Sequence, residues 1–348
     1  MHGVSTVPAG CPIRQIDTGF SIEVNVYLSP FAFSLQMLPL PPDVASSLSD
    51  LLDRALAEDV GPGDITTEAT IPEATQATAR FLLKEDGVVA GLAVAERAFA
   101  AVDTELAVTW SAADGDALAN GTVFGEVTGR ARSILVAERL ALNLMQRMGG
   151  IATASHRMAE AAKPATVLDT RKTVPGLRQL DKWAVRLGGA ANHRVGLYDM
   201  VLIKDNHIAS AGGVRAALQS VTDHLRTSGR EVPVEIEART LEEVDAVLAA
   251  HSDGLRVDRV LLDNMAVHTD TGLDVFMLRQ AVARIDGRIQ TEASGNVTLD
   301  TVSEIGMTGV DFISSGALTH SVRALDVSLK IDLALASRSL GNSPKPAV

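Results

Sequence analysis

TVLDTRK at 166–172 and MVLIKDN at 200–206 share one pattern, a short β-branched apolar run that ends abruptly in charge. Further runs follow: VPVEIEA at 232–238, RVLLDN at 259–264, IQTEAS at 289–294 and VDFISSG at 310–316. With Arg171, Lys204, Glu237, Asp263, Ala293 and Ser315 as their ends, the intervals are 33, 33, 26, 30 and 22 residues. Each is about the length of one strand–helix unit, repeated. Continuous apolar strands alternating with helices predict a parallel sheet covered on its outer face. There are too few runs for a complete (β/α) barrel, so an incomplete parallel α/β barrel is expected, with a doubly wound open sheet as the alternative. Either arrangement puts chemistry at the carboxyl ends of the strands. Those ends read TRK, KDN, EIE, LDN, EASGN and SSG.

Upstream the grammar differs. SLSDLLDRALAED reads as a helix, followed by a Gly-Pro-Gly turn. ATARFLLK and VVAGLAV read as strands flanking the EDG turn, and ELAVTW and TVFGEVTG as two more. AERAFAAV and ARSILVAERLALNLMQRM have helical spacing. This half is expected to form an α+β sandwich. The domain expectation is a flexible extension over 1–36, or an upstream start with Met37 as the working initiator. The sandwich then covers 37–148 and the barrel 149–320, and a helical segment over 321–348 returns to the N-terminal domain and ends in a disordered tail.

Composition narrows the function. A chain that is 46% hydrophobic can bury a sizeable core. A net charge of −12 with 3% aromatic residues argues against nucleic-acid and anionic-membrane binding. No apolar run approaches the roughly 18–20 residues of a spanning helix. The 1–36 segment lacks the basic start of a signal peptide. A single cysteine, Cys11, excludes a disulfide framework and suggests a reducing cytoplasm.

Against that acidic background, Asp169 to His207 carries seven cations (Arg171, Lys172, Arg178, Lys182, Arg186, Arg194 and Lys204) and four acids. Arg171, Lys172, Arg194 and Lys204 are expected to meet at one rim, where uncompensated charge demands a multiply charged anion. Arg178, Lys182 and Arg186, four apart on one helix, read as an ordinary surface stripe. Glu237 and Asp263 close consecutive strands and suit Mg²⁺, which takes oxygen ligands beside substrate phosphates, or a ribose. Glu235 faces the same side as Glu237, and sequence leaves the two unseparated. SGN at 294–296 and SSGALTHS at 314–321 are small-residue loops suited to phosphate. GxxxxGK[ST], GxGxxG and HExxH are absent, which removes the main support for nucleotide hydrolases, dinucleotide enzymes and zinc proteases.

LDTRKTVPGLRQLDKWAV, GGAANHRVGLYDMVLIKDNH, EIEARTLEEV, VLLDN, EASGNVTLDTV and FISSGALTHS together resemble the quinolinate phosphoribosyltransferase family. The likeness runs in order from about residue 48 to 332. It implies decarboxylating phosphoribosyl transfer from phosphoribosyl pyrophosphate to quinolinate, giving nicotinate mononucleotide for NAD synthesis. It also implies Mg²⁺ as cofactor and a homodimer, or an assembly of dimers, with shared sites. On this likeness Arg171, His193 and Arg194 hold the quinolinate carboxylates, helped by Lys172 and Lys204, which also reach the phosphoribosyl donor. Arg139 arrives from the neighbouring subunit. Glu237 and Asp263 bind ribose hydroxyls and Mg²⁺, while Ser294, Gly295, Asn296, Ser315, Gly316 and His320 cradle phosphate. Asn296 stands where the family often has glycine, and Ala190–Ala191 replace a glycine-richer pair. The rivals are a related transferase that uses nicotinate without decarboxylation, a Schiff-base aldolase on Lys172 or Lys204, and a non-catalytic sugar-phosphate binder.

Overall fold

Helix α1 (Pro42–Val60) begins on a proline, whose missing N–H costs nothing there, and buries Val44, Leu48 and Leu52 on a four-residue spacing. The computed structural model describes residues 40–270 and 272–332; the expected extension over 1–36 lies outside them. Asp64 caps the short helix α2 (Ile65–Thr70) by accepting the Thr67 N–H at 3.0 Å.

Strand β1 (Gln76–Leu83) turns Ala77, Ala79, Phe81 and Leu83 inward in strict alternation. It pairs antiparallel with β5 (Val123–Arg130), and β5 pairs with β3 (Ala107–Trp110). The Phe81 ring anchors this layer, with its centroid 4.6 Å from Trp110, 5.9 Å from Phe124 and 6.0 Å from Phe99.

One expected strand does not form. VVAGLAV was expected to pair across the EDG turn, but only β2 (Gly87–Val88) is extended, and it pairs with β4 (Ala117–Leu118) rather than with β1. Gly91 turns the chain at φ 90°, and α3 (Leu92–Val102) starts directly after it. The Asp114 carboxylate accepts the Leu92 N–H at 3.0 Å and supplies the missing cap. A short buried apolar run fits helix and strand equally well, so the deciding partner was an aspartate 22 residues away.

The C-terminal expectation is also corrected. Residues 321–332 form no helix; Val327–Ile331 is a strand, β14, paired antiparallel with the free edge of β1. VSLKI alternates with period two and buries Val327 and Leu329, which suits a sheet edge and not a helix face. Residues 333–348 lie outside the described residues.

Helix α4 (Ala131–Ala162) runs unbroken through 148/149, where the domain boundary was expected. Gly149 and Gly150 sit mid-helix because the Leu325 side chain and the Arg323 carbonyl press onto them, leaving no room for a Cβ. Each costs roughly 1 kcal/mol of helix propensity relative to alanine, which the close packing offsets.

Beyond α4 the strand–helix alternation holds. Six parallel strands lie in the order β6 (Thr166–Leu168), β13 (Phe312–Ser314), β12 (Gln290–Ser294), β9 (Arg259–Asp263), β8 (Val234–Ala238) and β7 (Val201–Ile203). Between them come α5 (Arg178–Leu187), α6 (Asp205–Ala211), α7 (Val214–Ser228), α8 (Leu241–Ser252), α9 (Phe276–Ile285) and α10 (Val302–Gly306), and α11 (Ala317–His320) follows β13. A small hairpin, β10 (Val267–Thr269) with β11 (Gly272–Asp274), follows β9. No ladder joins β6 to β7, so the barrel is incomplete. The edge of β6 away from β13 instead takes a single bridge, Leu168 to Ala191.

Candidate active site

Period-two alternation decides what faces the barrel interior. Leu202 and Lys204, Leu261 and Asp263, Glu292 and Ser294, and Ser314 and Gly316 all line one cavity of about 960 Å³ at the carboxyl end of the sheet. Arg171, Lys172, His193, Arg194, Gly295, Asn296, Ser315 and His320 complete most of its wall. Of the expected residues, Glu237 and Arg139 are not in the lining. Glu237 is buried beside the rim, and Arg139 is exposed on α4.

The cations divide sharply. Among the described residues, Arg171, Lys172 and Arg194 form no ion pair with any acid, and Arg171 Nε is buried without a hydrogen-bond partner. Arg194 Nη1 reaches only the Met200 carbonyl, at 3.4 Å. Lys204 Nζ is 3.8 Å from Glu237 Oε2, a loose approach. Burial, and then the neighbouring Arg171 charge, disfavour the charged form of Arg194. A set of cations left without close ion pairs suits a site where an anion binds.

Arg178 and Lys182 are not the surface stripe expected of them; only Arg186 is exposed. Arg178 fastens the adjoining loops through Thr173 Oγ1 at 3.0 Å and the Arg171 and Val195 carbonyls. Lys182 is 2% exposed and lies 2.6 Å from Asp169, which is wholly buried. Burial raises the Asp169 carboxyl to about 6, opposed by the attraction of Lys182. Helical spacing places three residues on one stripe, but the depth of that stripe is set by what packs over it.

The acids Glu237, Asp263 and Asp205 converge on Arg239, a residue not singled out from the sequence. Its Nε is 2.9 Å from Glu237 and 3.3 Å from Asp263, and its Nη1 is 2.9 Å from Asp205. Glu237 Oε1 still lacks a hydrogen bond, since Arg239 approaches it out of line. Burial, and then the Asp263 charge, raise the Glu237 carboxyl. A buried carboxylate with an orphaned oxygen beside a second acid is a hard-oxygen donor set, which fits a divalent cation such as Mg²⁺.

The phosphate-type loops hold together locally. Gly295 has φ 106° and Asn296 φ 50°, both left-handed. Asparagine tolerates that conformation better than most residues, which accounts for its standing in a position that suits glycine. A Cβ at Gly295 would strike the Asn264 amide. A Cβ at Gly316 would come 2.7 Å from Lys172 Cδ and 2.9 Å from His320 Cδ2, so a side chain there would displace the lysine stem or the histidine ring.

One strand step below the rim lies a cluster the sequence reading did not assemble. His193 Nε2 is 2.9 Å from Glu235 and 3.6 Å from Glu292, and Arg259 Nη1 is 2.8 Å from Glu292 while its guanidinium stacks 4.0 Å over the Phe312 ring. These His and Glu atoms lie within 4.8 Å of one another. Burial first, then the adjacent Glu235 carboxylate, push Glu292 up to about 7. His193 Nδ1 accepts the Arg194 N–H at 2.7 Å. Both ring nitrogens are therefore engaged below the rim, and the ring braces the start of Arg194. The available signal was Glu292, an acid two residues before Ser294 and so on the same face of its strand.

The family model for the quinolinate phosphoribosyl transferase N-terminal domain matches residues 64–149, and that for its C-terminal domain matches 151–330. A protein of Nicotiana glauca named quinolinate phosphoribosyltransferase [decarboxylating] 2, mitochondrial, is 55% identical over 306 residues, covering 87% of each chain. One of Arabidopsis thaliana named nicotinate-nucleotide pyrophosphorylase [carboxylating], chloroplastic, is 56% identical over 292 residues, 83% of this chain and 84% of that one. The crystal structure of NadC from Streptococcus pyogenes superposes with a TM-score of 0.76 at 37% identity, covering 85% of this chain and 99% of that one. These names overturn the cytoplasmic expectation: similar chains carry mitochondrial and chloroplastic names. A lone cysteine constrains disulfide chemistry, not the compartment. With both family models matching in order over most of its length, the chain belongs to the quinolinate phosphoribosyl transferase family.

Proposed function

We propose that this pocket transfers the phosphoribosyl group of phosphoribosyl pyrophosphate to quinolinate, releasing pyrophosphate and CO₂ and leaving nicotinate mononucleotide. One observation carries the reading. Among the described residues three cations at the rim have no acid partner, a fourth is loosely held by Glu237, and buried Glu237 and half-buried Asp263 meet at Arg239 beside them. A doubly negative pyridine fits the first group, and a ribose bearing a diphosphate fits the second.

In this reading Arg171 and Arg194 grip the adjacent carboxylates of quinolinate and aim its ring nitrogen at C1 of the ribose. Lys172 and Lys204 lie between the two ligands and stabilise the negative charge that develops as pyrophosphate departs. Ser294, Gly295, Asn296, Ser315, Gly316 and His320 hold phosphate oxygens. The ring nitrogen forms its bond to C1 as the C1–oxygen bond breaks. The quaternised ring then accepts the electron pair left on C2 when the 2-carboxylate leaves as CO₂, and C2 takes up a proton. No covalent bond to the protein is required. Glu237 and Asp263 would hold Mg²⁺, which when bound supplies charge neutralisation at the diphosphate.

The direct test supplies quinolinate labelled in its 2-carboxylate, phosphoribosyl pyrophosphate and Mg²⁺. The expected result is one labelled CO₂ per pyrophosphate. Faster turnover of nicotinate, with no CO₂, would replace this reading by the non-decarboxylating one.

A shared site between two subunits is part of the proposal, because Arg139 is exposed on α4 and absent from the wall of its own chain's cavity. Arg139→Ala and Lys172→Ala should each be nearly inactive alone. Unfolded together and reassembled, they should regain a substantial fraction of activity, since a hybrid dimer holds one intact site. Absence of recovery would place Arg139 outside the reaction.

A further inference from the structure

The two guanidinium groups that grip the dianion come from different places. Arg171 follows the end of β6, and Arg194 follows the segment that bridges to the edge of β6. Among the described residues neither forms an ion pair; their like charges push them apart, and Glu235 and Asp199 attract Arg194 only from a distance. A long barrel strand would be fixed by a ladder on both sides. Here the ladder is short, with Ala191 N–H donating to the Val167 carbonyl at 2.8 Å and Asp169 N–H to the Ala191 carbonyl at 3.1 Å.

Beyond those bonds the buried pair takes over. Asp169 Oδ1 accepts both the Lys182 ammonium, at 2.6 Å, and the His193 N–H, at 2.8 Å. Lys182 Nζ also donates to the His193 carbonyl at 3.0 Å. The peptide groups on both sides of His193 are therefore held from below. Asn192, with its amide nitrogen turned inward, donates to Asp169 Oδ2 at 3.1 Å and to the Lys182 carbonyl at 2.9 Å. Asp169 lies two residues before Arg171, and His193 one before Arg194. The same helix, α5, carries Arg178, which holds the Arg171 carbonyl at 3.2 Å.

We infer that the buried Asp169–Lys182 pair is a positioning element that fixes the spacing of Arg171 and Arg194, and so gives the pocket its preference for two adjacent carboxylates over one. The inference rests on the reading of the pocket proposed above. A purely stabilising role explains it poorly, since a buried ion pair gives little net stability over apolar residues of similar size. What the pair supplies is geometry, through two further bonds to the His193 backbone. A monoanion needs one guanidinium in place, whereas a dianion needs both at a set distance.

The test uses the double variant Asp169→Asn/Lys182→Met in the full chain, which removes both charges together and leaves no lone buried ion. Calorimetry would follow binding of pyridine-2,3-dicarboxylate and of pyridine-3-carboxylate. Affinity for the dicarboxylate should fall on the order of 30- to 100-fold, as small misplacements of gripping groups do. Affinity for the monocarboxylate should change little, so the preference between them collapses. KM for the dicarboxylate should rise in step, and kcat should fall as well, because the same two guanidinium groups aim the ring nitrogen at C1. Asn192→Ala, which keeps the ion pair, should move the same preference in the same direction by a smaller factor, and decides the matter if the double variant does not fold. A folded variant with its preference intact overturns the clamp and leaves the pocket reading standing. If the unaltered protein binds no dicarboxylate at all, both fail.

Discussion

Lys172→Ala should lower kcat/KM for quinolinate about 10³-fold, a loss of ~4 kcal/mol of transition-state stabilisation. Lys172 is exposed at the mouth and has no acid partner among the described residues, so its removal leaves no orphaned carboxylate behind. Its stem passes close to Gly316, in the loop that also carries Ser315 and His320. The reaction is expected to build negative charge there as pyrophosphate leaves. Folding should be unaffected because the side chain packs against no core. Steady-state kinetics with a melting curve as control check this. A loss under tenfold in a folded variant would remove Lys172 from the reaction.

Phe81→Ala should destabilise the protein by about 3–5 kcal/mol, the usual cost of deleting a fully buried aromatic side chain. Phe81 is wholly buried and touches three other rings, so several elements lose their contact at once. It lies on β1, the strand flanked by both β5 and β14. Urea unfolding would report the loss as a lower midpoint. A loss under about 1.5 kcal/mol would mean that the site collapses to fill the space. Quinolinate turnover by the surviving folded fraction should be close to normal, since Phe81 lines no part of the cavity.

These two residues show different kinds of legibility. Phe81 announces itself by alternation in ATARFLLK, and Lys172 by its place at the end of a β-branched run. Both are local signals, because a strand exposes alternate residues to one side and ends where its apolar run ends. The same signal gave Lys204, Asp263, Ser294 and Ser315 in one cavity. It failed for VVAGLAV, where helix and strand were equally compatible and a distant aspartate chose. VSLKI carries the signal in its alternation, but which edge it pairs with depends on β1, far away in the chain.

The site shows the same division. Glu292, Arg259 and Glu235 belong to strands that were found, yet their meeting below the rim depends on how neighbouring strands register in the barrel. Arg239 follows β8 and was passed over because nothing in EIEART marks it as the centre of three acids. Lys182 was taken for surface because a helical stripe reveals angle and not depth.

By itself the sequence determined the repeating strand–helix order, the chemistry at the strand ends and the imbalance of charge between Asp169 and His207, since each is written over a few consecutive residues. The tertiary structure alone decided which cations remain unpaired and which are neutralised out of sight. That outcome rests on distances between strands far apart in the chain, and electrostatic energy depends on separation and burial in space.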